Sequence, residues 1–148
     1  MKTRFPLNDV KVDISLQELI YQANQAKERA IAPISGFRVG AALTTPQGRL
    51  YFGCNIENIS LSLSICAERV AFLKALSDGE REFASLSLVS DAESMITPCG
   101  ACRQLIWEFA PELTLIMANC HGEVKYAKIA ELLPQAFTFQ TLRERKKA

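Results

Sequence analysis

The chain has 148 residues, 49% of them apolar, a length that suits one domain with a sizeable core. Its 17 Lys plus Arg nearly balance 16 Asp plus Glu, so no basic field exists to hold a nucleic-acid backbone, and a small molecule is the expected partner. No repeat, low-complexity stretch or linker divides the sequence, and residues 1–148 are read as a single domain.

In chain order, residues 1–10 carry charges and a proline but no apolar signal core, and no later run is long enough to cross a bilayer. A cytoplasmic chain without membrane contact is expected. Ser15 is placed to cap a first helix whose apolar positions Leu16, Leu19, Ile20, Ala23, Ala26 and Ala30 keep a helical period until Pro33. Strands are expected over residues 39–45 and 49–53, joined by the turn residues Pro46, Gln47 and Gly48. Ser64 is placed to cap a second helix over residues 65–77. A strand over 83–90 leads to Thr97 and Pro98, an N-cap and a first-turn proline, and then to a third helix with the apolar stripe Leu105, Ile106, Phe109. A strand over 113–118, a turn over 119–122, a short strand over 123–127 and a short helix over 129–133 follow. The polar, basic tail through Lys147 shows no readable element. This order implies an α/β fold, a mixed sheet sandwiched by helices, with the second and third helices following neighbouring strands and meeting on one face.

Two motifs carry the chemistry. Cys66-Ala67-Glu68 opens the second helix and Pro98-Cys99-Gly100-Ala101-Cys102 the third, which supplies three soft ligands and one carboxylate that is not a ligand. A structural zinc site closes with four protein ligands, whereas a catalytic one keeps a position for water. Three cysteines beside a glutamate therefore point to metal-assisted hydrolysis. Both helix N-termini would aim partial positive charge at the metal. That matters because three thiolates overcompensate a divalent cation. Arg69, next to Glu68, is the side chain to hydrogen-bond a thiolate sulfur and withdraw charge, tuning the site rather than ligating it.

Other readings of the same residues exist. The Cys99 to Cys102 spacing also suits a thioredoxin-type redox pair, and Cys54, Cys120 and His121 are spare candidates for a fourth, structural ligand. Two helix-start cysteine motifs with a glutamate two residues after the first favour the open three-cysteine site. Five cysteines, three of them metal ligands, fit a reducing compartment better than a disulfide framework, with Cys54 and Cys120 as small apolar residues beside strands.

With these motifs go residues 32–43, Gly53-Cys54-Asn55-Ile56-Glu57-Asn58, residues 94–104 and Glu131-Leu132-Leu133-Pro134. In that order and spacing the chain resembles the short-chain cytidine deaminases, homotetrameric zinc enzymes of pyrimidine salvage that convert cytidine and deoxycytidine to uridine and deoxyuridine with release of ammonia. The cysteine and glutamate pattern marks the wider zinc deaminase superfamily, and Asn55-Ile56-Glu57 is what points to nucleosides. The resemblance implies a three-layer α-β-α fold around a mixed sheet of about five strands. It also implies one zinc per subunit on Cys66, Cys99 and Cys102, with Glu68 moving protons between the attacking water, ring nitrogen N3 and the departing amine. It assigns the ribose 3′-hydroxyl to Asn55 and Glu57, the pyrimidine ring to Phe37 and the base edge to the backbone of Ala67. Phe137 resembles a phenylalanine that reaches the pocket of a neighbouring subunit.

Some positions depart from the family. Ile31 and Ile34 stand where members often have tyrosine, and Ile59-Ser60-Leu61 replaces a small residue followed by a tyrosine at the pocket's intersubunit border. A second expectation is therefore a modified cytosine nucleoside, of the type that blasticidin S deaminases attack. A third, from a different class, is a catalytically silent zinc-binding scaffold. The pair Asn55 and Glu57 weighs against the second, and the unligated Glu68 against the third.

Overall fold

Residues 39–43 form a near-continuous apolar run, whereas residues 50–54 alternate, and this difference decides which strand lies inside the sheet and which at its edge. In the computed structural model, which describes residues 14–144, β1 (Val39–Thr44) is buried on both faces and β2 (Leu50–Cys54) is buried at every second residue. The expectations placed on residues 1–10 and on the end of the tail lie outside the described residues.

The elements follow as α1 (Leu16–Lys27), β1, β2, a 3-10 turn (Leu61–Leu63), α2 (Ala67–Ser77), β3 (Ser85–Ser90), α3 (Gly100–Phe109), β4 (Thr114–Ala118), β5 (Val124–Lys128), α4 (Ile129–Leu132) and α5 (Phe139–Arg143). The sheet order is β2-β1-β3-β4-β5. β1 is antiparallel to both β2 and β3, β3 and β4 are parallel, and β5 returns antiparallel to β4. The expected mixed sheet of five strands is present. Ser15 caps α1 as read, its Oγ accepting from Glu18 N at 3.2 Å. The helix stops at Lys27, short of Ala30.

Helices cover both faces. On one, Ala67, Ala71 and Phe72 of α2 and Ile106 of α3 pack on Ala41, Leu43, Leu86, Leu88 and Leu115. On the other, Leu19 and Ala23 of α1 pack on Ala42, Val89, Ile116 and Ala118. The expected three layers are thus built, but the helices that carry the cysteines do not follow neighbouring strands. α2 leaves β2 and α3 leaves β3, and β1 lies between them, because the doubly buried strand takes the interior position. Residues 138–143, which showed no readable element, hold α5, capped by Thr138 Oγ1 accepting from Thr141 N at 3.3 Å. Among the described residues no helix is long and apolar enough to cross a membrane.

Candidate active site

The two cysteine motifs converge because each opens a helix with the cysteine itself as N-cap. Cys66 (ψ 154°) and Cys99 (ψ 167°) are extended, neither makes a side-chain cap bond, and their sulfurs are free to turn towards one another. Ser64 and Thr97, expected as caps, do not cap. Ile65 is held extended by a two-way backbone pairing with Ile56 (3.0 and 2.9 Å), so α2 cannot begin before Cys66. Ser64 Oγ instead accepts from Asn58 N at 2.9 Å, and Thr97 Oγ1 accepts from Arg103 Nη2 at 2.7 Å. Pro98 accordingly precedes α3 rather than opening it.

The sulfurs of Cys66 and Cys99 are 3.8 Å apart and those of Cys99 and Cys102 3.5 Å. A tetrahedron with metal–sulfur bonds of about 2.3 Å has edges of about 3.8 Å, so this donor set fits zinc by both chemistry and spacing. Among the described residues, the group able to hold a metal is Cys66, Cys99 and Cys102. Cys54, Cys120 and His121 are not in it. Cys54 Sγ donates to Arg29 O at 3.4 Å, and burial raises its thiol pKa, which suits a small structural thiol. Three ligands leave a tetrahedral centre one open position.

The surroundings favour a thiolate at Cys66. The Cys66 thiol is brought down to about 5, first by its hydrogen bond with Cys102, then by Cys99 and the charge of Arg69. Cys102, the partner that keeps its proton, is raised by that same bond. Arg69 donates Nη2 to Ser64 O at 3.0 Å, while its Nε is buried with no hydrogen-bond partner. A buried cationic donor of this kind suits a thiolate acceptor. Glu68 is 4% exposed. Burial, with the Cys66 charge adding, pushes its carboxyl up to about 7.

Above the sulfurs lies a cavity of about 450 Å³, open over Cys66 and Cys99. That volume falls within the range of about 300–1,000 Å³ usual for small-molecule sites. Phe37, Asn55, Glu57, Ala67 and Glu68 all line it. Asn55 bridges to the start of β1, its Oδ1 accepting from Val39 N at 2.8 Å and its Nδ2 donating to Phe37 O at 2.7 Å. Glu57 accepts from Ile34 N at 2.8 Å, from Ser35 N at 3.2 Å and from the Ser35 hydroxyl. Phe137 is not part of this cavity. It lines a separate apolar groove with Phe109, Phe139 and Leu142.

Two features of the site escaped the sequence reading. Ser35, read only as one letter of a motif, is the main contact of Glu57; the signal was the Ser35-Gly36 pair, which is turn chemistry. Gly53 lets α2 settle on β2, because a Cβ there would meet Ala67 O at 2.0 Å. A lone glycine in a strand marks such a close approach.

Comparison with known proteins agrees with this geometry. Residues 14–118 match the family model described as the cytidine and deoxycytidylate deaminase zinc-binding region. Cytidine deaminase of Sporosarcina psychrophila is 45% identical over 130 residues, covering 87% of this chain and 96% of that protein. The crystal structure of cytidine deaminase from Burkholderia pseudomallei superposes with a TM-score of 0.81 at 44% identity, covering 83% of this chain and 99% of that one. Blasticidin-S deaminase of Bacillus cereus is more distant, 31% identical over 108 residues and covering 68% of this chain and 76% of that protein. With a sulfur triad spaced for zinc, a buried glutamate beside it and relatives alike over most of their length, the chain belongs to the cytidine and deoxycytidylate deaminase family.

Proposed function

We propose that this protein deaminates cytidine and deoxycytidine to uridine and deoxyuridine, adding water at C4 of the pyrimidine and releasing ammonia, as a step of pyrimidine salvage in the cytoplasm. The observation that carries the reading is Glu68, a buried carboxyl beside an open three-sulfur metal site on the floor of a small-molecule cavity.

Zinc held by Cys66, Cys99 and Cys102 supplies a Lewis acid that makes a water nucleophilic near neutral pH. The remaining work belongs to side chains. Glu68, whose carboxyl pKa is raised by burial, can take a proton from the attacking water and give it up again. Delivered to N3, that proton makes C4 electrophilic; a second proton, taken from the new C4 hydroxyl as it becomes the carbonyl and passed to the exocyclic nitrogen, lets the C4–N bond break and ammonia leave. One carboxyl suffices for both transfers. Phe37 packs by the pyrimidine ring, the backbone of Ala67 reads the base edge, and Asn55 with Glu57 holds the ribose 3′-hydroxyl. Arg69 withdraws charge from the Cys66 sulfur. A silent scaffold has no use for a buried, unligated carboxyl, because burial at that position opposes its ionisation.

The active species is a homotetramer in which subunits complete one another's pockets. Support comes from apolar surface left open by a single chain: Ile59 is 94% exposed, Leu61 70% and Leu63 68%, and Phe137 lines an apolar groove of its own. Exposed apolar surface of this kind marks interfaces. Phe137 would reach the pocket of a neighbour, and Leu61 would keep that contact dry.

The test of the reaction is ammonia release from cytidine, deoxycytidine, 5-methylcytidine, cytosine and blasticidin S. Turnover of the first two is expected. Turnover of blasticidin S without them would move the assignment to the modified-nucleoside reading.

A further inference from the structure

Three donors converge on one carboxylate at the sugar end of the cavity. Ile34 N and Ser35 N both reach Glu57 Oε2, at 2.8 and 3.2 Å, and the Ser35 hydroxyl reaches Oε1. The same hydroxyl accepts from Phe37 N at 3.0 Å. A serine hydroxyl has a single proton, so with Phe37 N–H occupying its oxygen, that proton is committed to Glu57. The loop closes tightly enough for this because Gly36 takes a φ of +68° and its N–H returns to Ala32 O at 2.9 Å. No ion pair among the described residues involves Glu57. Its charge is held by hydrogen bonds, which keep its carboxyl below the usual range, the Ser35 bond first.

We propose that Ser35 is a positioning residue for the sugar: its hydroxyl ties Phe37 to Glu57 and orients the carboxylate so that its free acceptor faces a ribose hydroxyl. An ionised carboxylate has about four acceptor positions, and three are used within the chain. Asn55 spends its Oδ1 on Val39 N and one amide hydrogen on Phe37 O, leaving one N–H. The pair therefore offers one acceptor and one donor, the complement of a single hydroxyl. Ser35 also sets the spacing between the residue assigned to the ring and the residue assigned to the sugar. The inference rests on the nucleoside reading above.

The test is steady-state kinetics of the full-length, zinc-loaded protein on cytidine and on 2′,3′-dideoxycytidine, which lacks the hydroxyl. Ser35 is exposed, so Ser35→Ala leaves the core intact. Ser35→Ala is expected to raise KM for cytidine about tenfold with kcat within about threefold, and to change kcat/KM for the dideoxy substrate by less than about twofold. Ser35→Thr, which keeps the hydroxyl, restores the KM for cytidine. Equal losses on both substrates would make Ser35 a general loop residue and overturn the inference, as would an unchanged KM for cytidine. If the unsubstituted protein turned over no cytidine, the nucleoside reading itself would fall, a result distinct from either.

Discussion

Gly53 of β2 lies directly beneath Ala67 at the first turn of α2: a Cβ on Gly53 would meet Ala67 O at 2.0 Å and Ala71 N at 2.7 Å. The residues on either side of Ala67 are Cys66 and Glu68, so this backbone contact sets the height of a candidate zinc ligand and of the proposed proton carrier above the sheet. Gly53→Ala must lift the start of α2. The expected cost is about 1–3 kcal/mol of stability, together with weakened zinc retention. Gly40→Ala is the control, since Gly40 makes the equivalent contact with α1, at Ala23 O (2.0 Å), on the opposite face. Thermal melts should show both variants destabilised, and metal analysis should show zinc weakened only in Gly53→Ala. Equal zinc loss in the two would mean that the contact has no specific hold on the site.

Glu68 links function to stability. Glu68→Gln should lose about 10²–10⁴-fold in turnover with zinc still bound. In metal-stripped protein the same change should be stabilising at high pH. Burial raises the Glu68 pKa from 4.5 to about 7, so its ionisation opposes folding. The penalty is absent below about pH 4.5, grows as pH rises, and saturates above about pH 7 at no more than about 3 kcal/mol. Urea melts of the stripped proteins at pH 5 and pH 8 check this. A difference between variant and parent that did not widen with pH would contradict the burial of a titrating carboxyl, and loss of zinc in the variant would make Glu68 a ligand.

One zinc per chain is expected. Cys66→Ser, Cys99→Ser and Cys102→Ser should each lose it, and Cys54→Ser should keep it, because the Cys54 sulfur is turned to Arg29 O and lies outside the triad. Zinc lost from Cys54→Ser as well would indicate a closed four-thiolate site and remove the hydrolytic reading.

Dilution tests the assembly. Light scattering should give a tetramer, and specific activity should fall as it dissociates. Leu61→Asp, placing a charge on a side chain that is 70% exposed in the single chain, should shift dissociation to higher concentration while each monomer stays folded. A fully active dilute monomer would rule out shared pockets.

Local chemistry was legible wherever the decisive partner lay nearby in sequence. Ser15 caps α1 through Glu18, three residues on. The hairpin β1–β2 and strands β3, β4 and β5 fall within a residue or two of their expected ends, because apolar patterning and turn residues act over short distances. The chemical identity of the site was legible too: three sulfurs and a carboxylate at fixed spacings define which metal fits and leave a position open.

Distant contacts decided the rest. Ser64 looked like a helix cap until the Ile56–Ile65 pairing held the chain extended past it, and Thr97 was claimed by Arg103. β1 entered the sheet between the strands that precede α2 and α3, since pairing on both edges buries its continuous apolar run. The contact of Ser35 with Glu57 crosses 22 positions, and that of Cys66 with Cys99 crosses 33. Composition and local propensity establish which groups a chain can bring to a site. Their distances, their burial and so their pKa values arise only when long-range packing sets the backbones that carry them.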